Sequence, residues 1–293
     1  MSQLKKIKDK VYILKKWGDI IFKYPELSLR KVDYDLYWKD KRGTSIGGLS
    51  SWQKDRADIT LRVLEKVREP VDIIDIGGQS TRPGSELISA DEEIERVIPA
   101  IKAIAEKNPK AFISIDTFYS KVAAAAVDAG ASIVNDISAG SMDNKMIATV
   151  AELKVPYILM HMKGTPQTMQ QNAIYKDVTL DVLDFFISKT HELQNAGIVD
   201  IIIDPGFGFA KTIDQNFELL KNLSAFKMLD KAIMLGISRK STIYKTLGVN
   251  ADEALNGTTV LNTIGLMNGA SILRVHDVKE AKEAIKLYSA TYK

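Results

Sequence analysis

The sequence contains no cysteine, so disulfide bonds and thiolate metal sites are excluded. It has only three histidines, which lie far apart without ligand spacing and do not favour a transition-metal site built by the protein. No apolar run approaches the ~20 residues that cross a bilayer. The N-terminus lacks the apolar core of a signal peptide. We therefore expect a cytoplasmic protein.

Several motifs of common enzyme classes are also missing. No GxGxxG follows the first strong strand pattern, and no Gx(4)GK[ST] loop for a nucleotide is present. No Ser–His–Asp assignment stands out. The net charge of +3, from 40 basic and 37 acidic residues, is not the basic excess that nucleic-acid binding favours. An enzyme or a binding protein is the default expectation.

Seven short apolar segments rich in β-branched residues recur from residue 71 onward and are predicted to be strands. Each is nearly continuous in hydrophobic character, which is typical of strands buried on both faces. The segments are VDIIDI (71–76), FISID (112–116), SIVND (132–136), YILMHM (157–162), DIIIDP (200–205), AIMLGIS (232–238) and SILRVHD (271–277).

Helical patterns separate these strands, as in 89–107, where Ser89 and Glu92 are predicted to form a capping box. Strand alternating with helix predicts parallel strands joined by right-handed crossovers. We predict a (β/α)8 TIM barrel. Its remaining strand must lie upstream, in VYILKKW (11–17) or VDYDLYW (32–38). Residues 1–50 would be an atypical N-terminal segment that supplies this strand, and residues 51–293 the barrel domain.

Polar or charged groups stand at the ends of these predicted strands. In a barrel of this kind, the carboxyl ends of the strands form the ligand site. Buried polar groups need partners, and one shared polar ligand would satisfy them together. The residues are Asp75, Asp116, Asn135, Asp136, Met160, His161, Asp204, Ser238, Arg239, Lys240, Arg274 and His276.

The strand-end residues divide by chemistry into two groups. Asp116, Asn135 and Asp204 offer acceptors and one amide, a combination that suits a flat heterocycle with several N–H donors, such as an aminopyrimidinone. Cationic donors form the second group and suit phosphate or carboxylate. They are Arg82, Lys240, Arg274 and His276. A Mg²⁺ ion held largely by a ligand's phosphates is compatible with this set.

Seven motifs together resemble the dihydropteroate synthase family in order and approximate spacing, over roughly residues 55 to 290. They are DIIDIGGQSTRPGS, FISIDTFYS, ASIVNDISAG, YILMHMKGTP, IIIDPGFGFAKT, MLGISRKS and ILRVHDV. The resemblance implies a (β/α)8 barrel, usually a homodimer, in folate biosynthesis. It implies condensation of 6-hydroxymethyl-7,8-dihydropterin diphosphate with 4-aminobenzoate to 7,8-dihydropteroate and diphosphate, with Mg²⁺, and competition by sulfonamides.

The resemblance also assigns roles to particular residues. The pterin pocket would be formed by Asp116, Asn135, Met160, Asp204 and Lys240, with Phe209 and Lys211 nearby at its mouth. Arg274 and His276 would bind the diphosphate. A mobile second loop of Ser80, Thr81, Arg82 and Pro83 would help to seat aminobenzoate, with Ser241 near its carboxylate. The predicted catalytic groups are Lys240, Arg274, His276 and Arg82.

The N-terminal region departs from the family pattern. The family's first strand ends in a stretch resembling NVTPDSFSDGG, and the nearest match in position, KRGTSIGGLSSWQKDR, keeps only two glycines. An active synthase with a rebuilt first loop is the reading that we favour. A pterin-binding paralogue with little or no activity is the alternative. A related pterin-dependent methyltransferase is disfavoured by STRPG, SRKS and RVHD.

Overall fold

Eight parallel strands form a closed barrel in chain order in the computed structural model, which describes residues 12–16, 71–81 and 85–292. β1 pairs with both β2 and β8, which closes the barrel. The strands are β1 (Tyr12–Lys16), β2 (Ile73–Ile76), β3 (Phe112–Asp116), β4 (Ile133–Asp136), β5 (Tyr157–Met160), β6 (Ile201–Asp204), β7 (Ala232–Leu235) and β8 (Ile272–Val275).

The predicted (β/α)8 barrel is therefore confirmed, and the first strand comes from the 11–17 candidate. The other candidate, 32–38, and the rest of residues 1–50 apart from β1 lie outside the described residues. The proposed boundary between residues 50 and 51 also lies there and stays a prediction.

Helices follow the strands and cover the outside of the barrel. Their starts carry ordinary capping signals: the Ser89 hydroxyl accepts a hydrogen bond from the Glu92 backbone N–H, and Thr212 and Gln215 form a reciprocal capping box. The capping box predicted at Ser89 and Glu92 is thus only half formed, because the Glu92 carboxylate accepts from Arg96 instead. Within the described residues no helix is long and apolar enough to cross a membrane. The helices are α1 (Ala90–Lys107), α2 (Ser120–Asp128), α3 (Met146–Leu153), α4 (Val178–Asn195), α5 (Ile213–Lys221), α6 (Ser241–Leu247), α7 (Leu255–Met267) and α8 (Val278–Thr291).

Side chains alternate along each strand between the helices and the barrel interior. On β2, for example, Ile74 and Ile76 join the large core beneath the helices, whereas Ile73 belongs to a separate interior cluster. We call this cluster the lower layer. It consists of Ile73, Ile133, Ile158, Ile202, Ala232, Met234 and Ile272.

Two residues further along β2, β4, β5, β6 and β8, the interior changes from apolar to largely polar, and the end of β3 contributes to the same level. We call this second set the upper layer, and it stands at the carboxyl ends of the strands. Because the side-chain period of a strand is two, both layers face the same interior. The upper layer consists of Asp75, Asp116, Asn135, Met160, Asp204 and Arg274.

Candidate active site

A hydrogen-bond network joins four strands across the upper layer. The Arg274 guanidinium on β8 donates from Nε and Nη2 to Asp75 Oδ2 on β2, at 2.9 and 2.6 Å. Its Nη2 also donates to Asp116 Oδ2 on β3. The Asn135 amide on β4 donates to Asp75 from the other side, with Nδ2 at 3.3 Å from both carboxylate oxygens. Residues 199 positions apart in the chain thus become one cluster.

The carboxylates around Arg274 offset its burial. Burial by itself lowers the pKa of Arg274, but the charge of Asp75 and then that of Asp116 outweigh it, so the pKa is raised. A guanidinium in this setting stays charged, and the two carboxylates bind its Nε and Nη2 groups. The Arg274 side chain is therefore held in place at the carboxyl ends of the strands.

Asp204 completes the acceptor set at the end of β6. Its Oδ1 accepts a hydrogen bond from the Gly206 backbone N–H at 2.8 Å. Burial raises the pKa of Asp204, while the charges of Lys240 and Arg274 and this hydrogen bond act in the opposite direction. Asp204 is thus a buried acceptor that protein cations only partly compensate, and a ligand carrying N–H donors would stabilise its ionised form.

The loop after β6 is held by a buried lysine. Lys211 Nζ lies 3.0 Å from His161 Nδ1, 3.0 Å from the Gly206 carbonyl oxygen and 3.1 Å from the Phe209 carbonyl oxygen. Burial lowers the pKa of Lys211 to about 7, although Asp204 partly opposes this. Because its ammonium group faces three protein acceptors, this geometry makes Lys211 an organiser of the loop.

His161 is a packed, neutral partner of that lysine. Burial, followed by the charges of Lys211 and Lys163, lowers the pKa of His161 to about 2. Its ring packs against Phe185 with 4.9 Å between ring centroids. Sequence reasoning placed this histidine at a strand end but gave it no role, and the structure assigns it to the support of the β6 loop.

Glycine is required at the start of the β6 loop. Gly206 has φ of +72°, and a β-carbon there would lie 2.0 Å from the His161 carbonyl oxygen. Gly208 also has positive φ, and a β-carbon there would lie 3.2 Å from Lys240 Cδ. Gly206 therefore allows the close approach of the His161 carbonyl group, and Gly208 that of the Lys240 side chain.

Lys240 and Phe209 meet at the mouth of the barrel. The Lys240 ammonium donates to the Phe207 carbonyl oxygen and lies 4.7 Å from the centroid of the Phe209 ring, a cation–π distance. Together they form one charged and one flat apolar surface beside Asp204. This arrangement suits a planar heterocycle better than an aliphatic ligand.

An apolar wall continues from this ring. Met160, at the end of β5, packs with Phe209 in a buried cluster that sits at the ends of β3 to β6. Its buried members are Phe118, Ile137, Met160, Met169, Phe209 and Ala210.

The loops after β7 and β8 bring a second group of polar side chains together. The Ser238 hydroxyl lies 2.9 Å from His276 Nδ1. Arg239, with φ of +53°, forms a bidentate pair with Asp277 at 2.8 Å. Ser241 is the first residue of α6 and lies next to Lys240 in the chain. His276 and Ser241 are thus placed at the same end of the barrel as the network.

The second loop is described only in part. Gln79 closes its base: its side-chain amide donates to the carbonyl oxygens of Ser80 and Glu86 and accepts from the backbone N–H of Ile88. Ser80 and Thr81 lie after β2 at the barrel mouth. The two remaining predicted residues of this loop, Arg82 and Pro83, lie outside the described residues.

The predicted pterin-pocket residues therefore gather at one end of the barrel, as the strand-end pattern indicated. Besides His161, reasoning from sequence assigned no role to Asp75, which joins Arg274 to Asn135, or to Gln79, which closes the loop base. Asp75 was visible as a polar residue inside an apolar strand. Gln79 had no distinguishing signal, since a glutamine in a loop is ordinarily solvated.

Within the described part of the chain, no group of three or more His, Cys, Asp or Glu side chains is arranged to hold a metal ion. Magnesium therefore stays a prediction, and the donors that fit it are the oxygens of a diphosphate rather than a protein cage.

Comparison with known proteins decides the family. Residues 50–276 match the family model described as pterin binding enzyme. A dihydropteroate synthase from Streptococcus pyogenes is 43% identical over 231 residues, which cover 78% of this chain and 84% of the relative. The chain belongs to the dihydropteroate synthase family of pterin-binding enzymes.

Solved structures agree with this assignment. The Yersinia pestis dihydropteroate synthase, solved as a sulfonamide complex, gives a TM-score of 0.77 at 35% identity, covering 81% of this chain and 86% of its own. The Xanthomonas albilineans enzyme with 4-aminobenzoic acid gives a TM-score of 0.76 at 31% identity, covering 97% and 94%. The same enzyme in complex with 7,8-dihydropteroate gives 0.75 at 28% identity, again over 97% and 94%. This chain thus shares its barrel fold with all three of these dihydropteroate synthase structures, and the family is one of transferases.

Proposed function

We propose that the protein condenses 6-hydroxymethyl-7,8-dihydropterin diphosphate with 4-aminobenzoate to give 7,8-dihydropteroate and diphosphate. The observation that carries this proposal is the upper layer, in which three carboxylates and an amide face buried cations at the mouth of a barrel. Membership of the dihydropteroate synthase family supports it, as do the aminobenzoate and dihydropteroate complexes of the Xanthomonas enzyme.

The pterin ring binds against the upper layer and the side chain of Lys240. Asp116, Asn135 and Asp204 supply acceptors for its N–H groups, and Lys240 supplies a donor for a ring acceptor. Met160 and Phe209 cover its flat face. Lys211 holds the loop that carries Phe209, so its part in pterin binding is through that loop.

The diphosphate and the aminobenzoate lie beside the cationic residues of the site. Arg274 and His276 bind the diphosphate, because buried charged donors bind phosphate oxygens strongly. Ser80, Thr81, Arg82 and Pro83 seat the aminobenzoate, with Ser241 beside its carboxylate. Mg²⁺, bound to the diphosphate oxygens, would neutralise charge on the leaving group.

The reaction then needs no covalent enzyme nucleophile. The bond between the pterin methylene carbon and the diphosphate oxygen breaks, and its electron pair leaves with the diphosphate. The electron-rich dihydropterin supports the resulting methylene cation. The amine nitrogen of aminobenzoate attacks that carbon and loses a proton. Positioning of the substrates and stabilisation of the leaving group by Arg274 and His276 carry the rate.

A cytoplasmic homodimer is the remaining part of the proposal. The family resemblance supports it, and so do apolar side chains exposed on α7 and α8, two helices that pack together, among them Val260, Met267 and Leu287. Sedimentation velocity at micromolar concentration tests the oligomeric state: a dimer is expected, and a monomer throughout would contradict it.

The direct test mixes the protein with the dihydropterin diphosphate, labelled 4-aminobenzoate and Mg²⁺ and measures labelled dihydropteroate. We expect product, and equal release of diphosphate. Omission of either substrate is the control. Absence of product under these conditions would sink the synthase proposal.

A non-catalytic pterin-binding protein is the second candidate, favoured by the missing NVTPDSFSDGG-like stretch. It predicts pterin binding without turnover, and loss of that binding in Lys240→Ala. Calorimetry with the dihydropterin diphosphate beside the product assay separates the two candidates.

A further inference from the structure

Asp75 is the most deeply buried ionisable group of the upper layer. Its side chain is 0% exposed, whereas those of Arg274 and Asp116 are 9% and 10% exposed. A ligand that enters from the barrel mouth therefore meets Arg274 and Asp116 before it meets Asp75. The role of Asp75 must be exerted through the side chains that it holds.

One of those side chains is the Asn135 amide. An ionised carboxylate only accepts hydrogen bonds, so it requires the NH₂ side of an amide to face it. Asn135 Nδ2 does face Asp75, at 3.3 Å from both oxygens. This leaves Oδ1 on the opposite side of the amide. Asp75 thus decides which end of Asn135 is a donor and which is an acceptor.

The other side chain is the Arg274 guanidinium. Asp75 holds its Nε and Nη2, and Asp116 receives a second bond from Nη2. Without Asp75, the Arg274 guanidinium would keep only one of these two carboxylate partners, Asp116. The guanidinium would then compete for Asp116 and Asp204, the acceptors assigned above to the pterin.

We propose that Asp75 is a positioning residue that fixes the orientation of both Asn135 and Arg274, and so sets the donor and acceptor pattern presented to the pterin. The proposal rests on the function proposed above. It adds a residue that touches neither substrate yet determines how the pocket reads one of them. If the salt bridge between Asp75 and Arg274 only stabilised the fold, loss of the Asp75 charge would leave the pterin affinity of the folded protein unchanged.

The experiment measures the Kd of the dihydropterin diphosphate by calorimetry for the wild type, Asp75→Asn, Asn135→Ala and the double variant. Asp75→Asn preserves shape and removes the charge that orders the amide. We expect it to raise the Kd by about 10- to 100-fold, the range for a lost hydrogen bond to a charged group. In the Asn135→Ala background, the same change should cost clearly less, since residues that act together are not additive.

A matched control is available on the neighbouring strand. Ser114 is paired in register with Asp75, is fully buried, and its hydroxyl makes no hydrogen bond within the described residues. Ser114→Ala should leave the Kd unchanged. Steady-state kinetics give a further readout: in Asp75→Asn, KM for the pterin diphosphate should rise while KM for aminobenzoate changes less than about twofold.

An unchanged Kd in Asp75→Asn, or fully additive effects in the double variant, would overturn the proposal. If Asp75→Asn does not fold, Asp75→Asn/Arg274→Gln is compared with Arg274→Gln, which avoids a buried unpaired cation. A further loss of pterin affinity supports the proposal because Asn135 has lost its anchor, and equal affinities refute it. A wild-type protein that does not bind the pterin diphosphate would instead refute the proposed function.

Discussion

The two layers of the barrel interior lie two residues apart on five of the strands and have opposite chemistry. On β6, Ile202 lies in the lower layer and Asp204 in the upper, and on β8 the corresponding pair is Ile272 and Arg274. The lower layer is apolar and requires no partners. The upper layer carries charges that are paired across the barrel.

The lower layer therefore contributes mainly to the stability of the fold, and the upper layer mainly to ligand binding. Apolar packing in the lower layer stabilises the fold by removing surface from water. The buried charges above it gain little net stability, because the cost of removing them from water offsets their attraction. Their position at the carboxyl ends of the strands is instead the position of a ligand site. Changes in the two layers should therefore have different consequences.

The largest effect is expected in the lower layer. Ile202→Ala leaves a cavity in a fully buried site and should lower the free energy of unfolding by about 2–5 kcal/mol. The pterin affinity of the folded protein should stay near that of the wild type. Denaturant unfolding and calorimetry check both statements, with Ile202→Val as the milder control. A large loss of pterin affinity in the folded fraction would contradict the claim that the lower layer affects stability rather than binding.

Asp204→Ala tests the upper layer of the same strand. It removes an acceptor for the pterin N–H groups and should weaken binding by about 1.5–3 kcal/mol. Stability should fall little or rise, because burial raises the pKa of Asp204 and its charge is costly in the folded protein. Calorimetry with the dihydropterin diphosphate gives the affinity, and Asp204→Asn is the isosteric control. Unchanged affinity would refute the assigned pocket.

Glu93 sharpens the comparison because it is a buried carboxyl outside the barrel interior. It accepts from Thr117 Oγ1 at 2.9 Å, and its Oε1 has no hydrogen-bond partner in the described structure. Burial raises the pKa of Glu93 from 4.5 to about 8. The folded protein therefore keeps this proton over a range in which the unfolded chain releases it, so stability falls as pH rises from about 4.5 through 8.

Glu93→Gln should remove that dependence. We expect the variant to gain about 1–3 kcal/mol relative to the wild type at pH 8.5, because a neutral amide has no charge to bury and no proton to take up, and little at pH 5. Urea unfolding at the two pH values measures this. Equal effects at both pH values would show that the carboxyl does not titrate in this range.

The smallest effect is expected at the apolar wall. Phe209→Leu keeps most of the apolar volume but removes the ring beneath Lys240. The loss of a cation–π contact should weaken pterin binding by about 0.5–1 kcal/mol. Calorimetry detects it, with Phe209→Tyr as the variant that retains a ring. A loss as large as that of Asp204→Ala would show that the ring does more than cover the pterin.

The strand pattern and the strand-end residues were predictable from the sequence because parallel strands buried on both faces leave continuous apolar runs. Asp116, Asn135 and Asp204 stood at their ends and are found in one layer. The partners of Asp75 were not predictable, because Arg274 lies 199 residues away and only barrel closure brings the two together. The organising contacts of Lys211 depend on a loop carbonyl geometry set by Gly206, which spacing does not reveal.

The most direct test of the separation between the layers is one thermal-unfolding series of the wild type, Ile202→Ala and Asp204→Ala, with and without dihydropterin diphosphate. We expect the two variants to differ in opposite respects. Ile202→Ala should have a low Tm without ligand and a full ligand-induced rise, whereas Asp204→Ala should keep its Tm and lose most of that rise. Variants that lose Tm and ligand response together, in the same proportion, would contradict it.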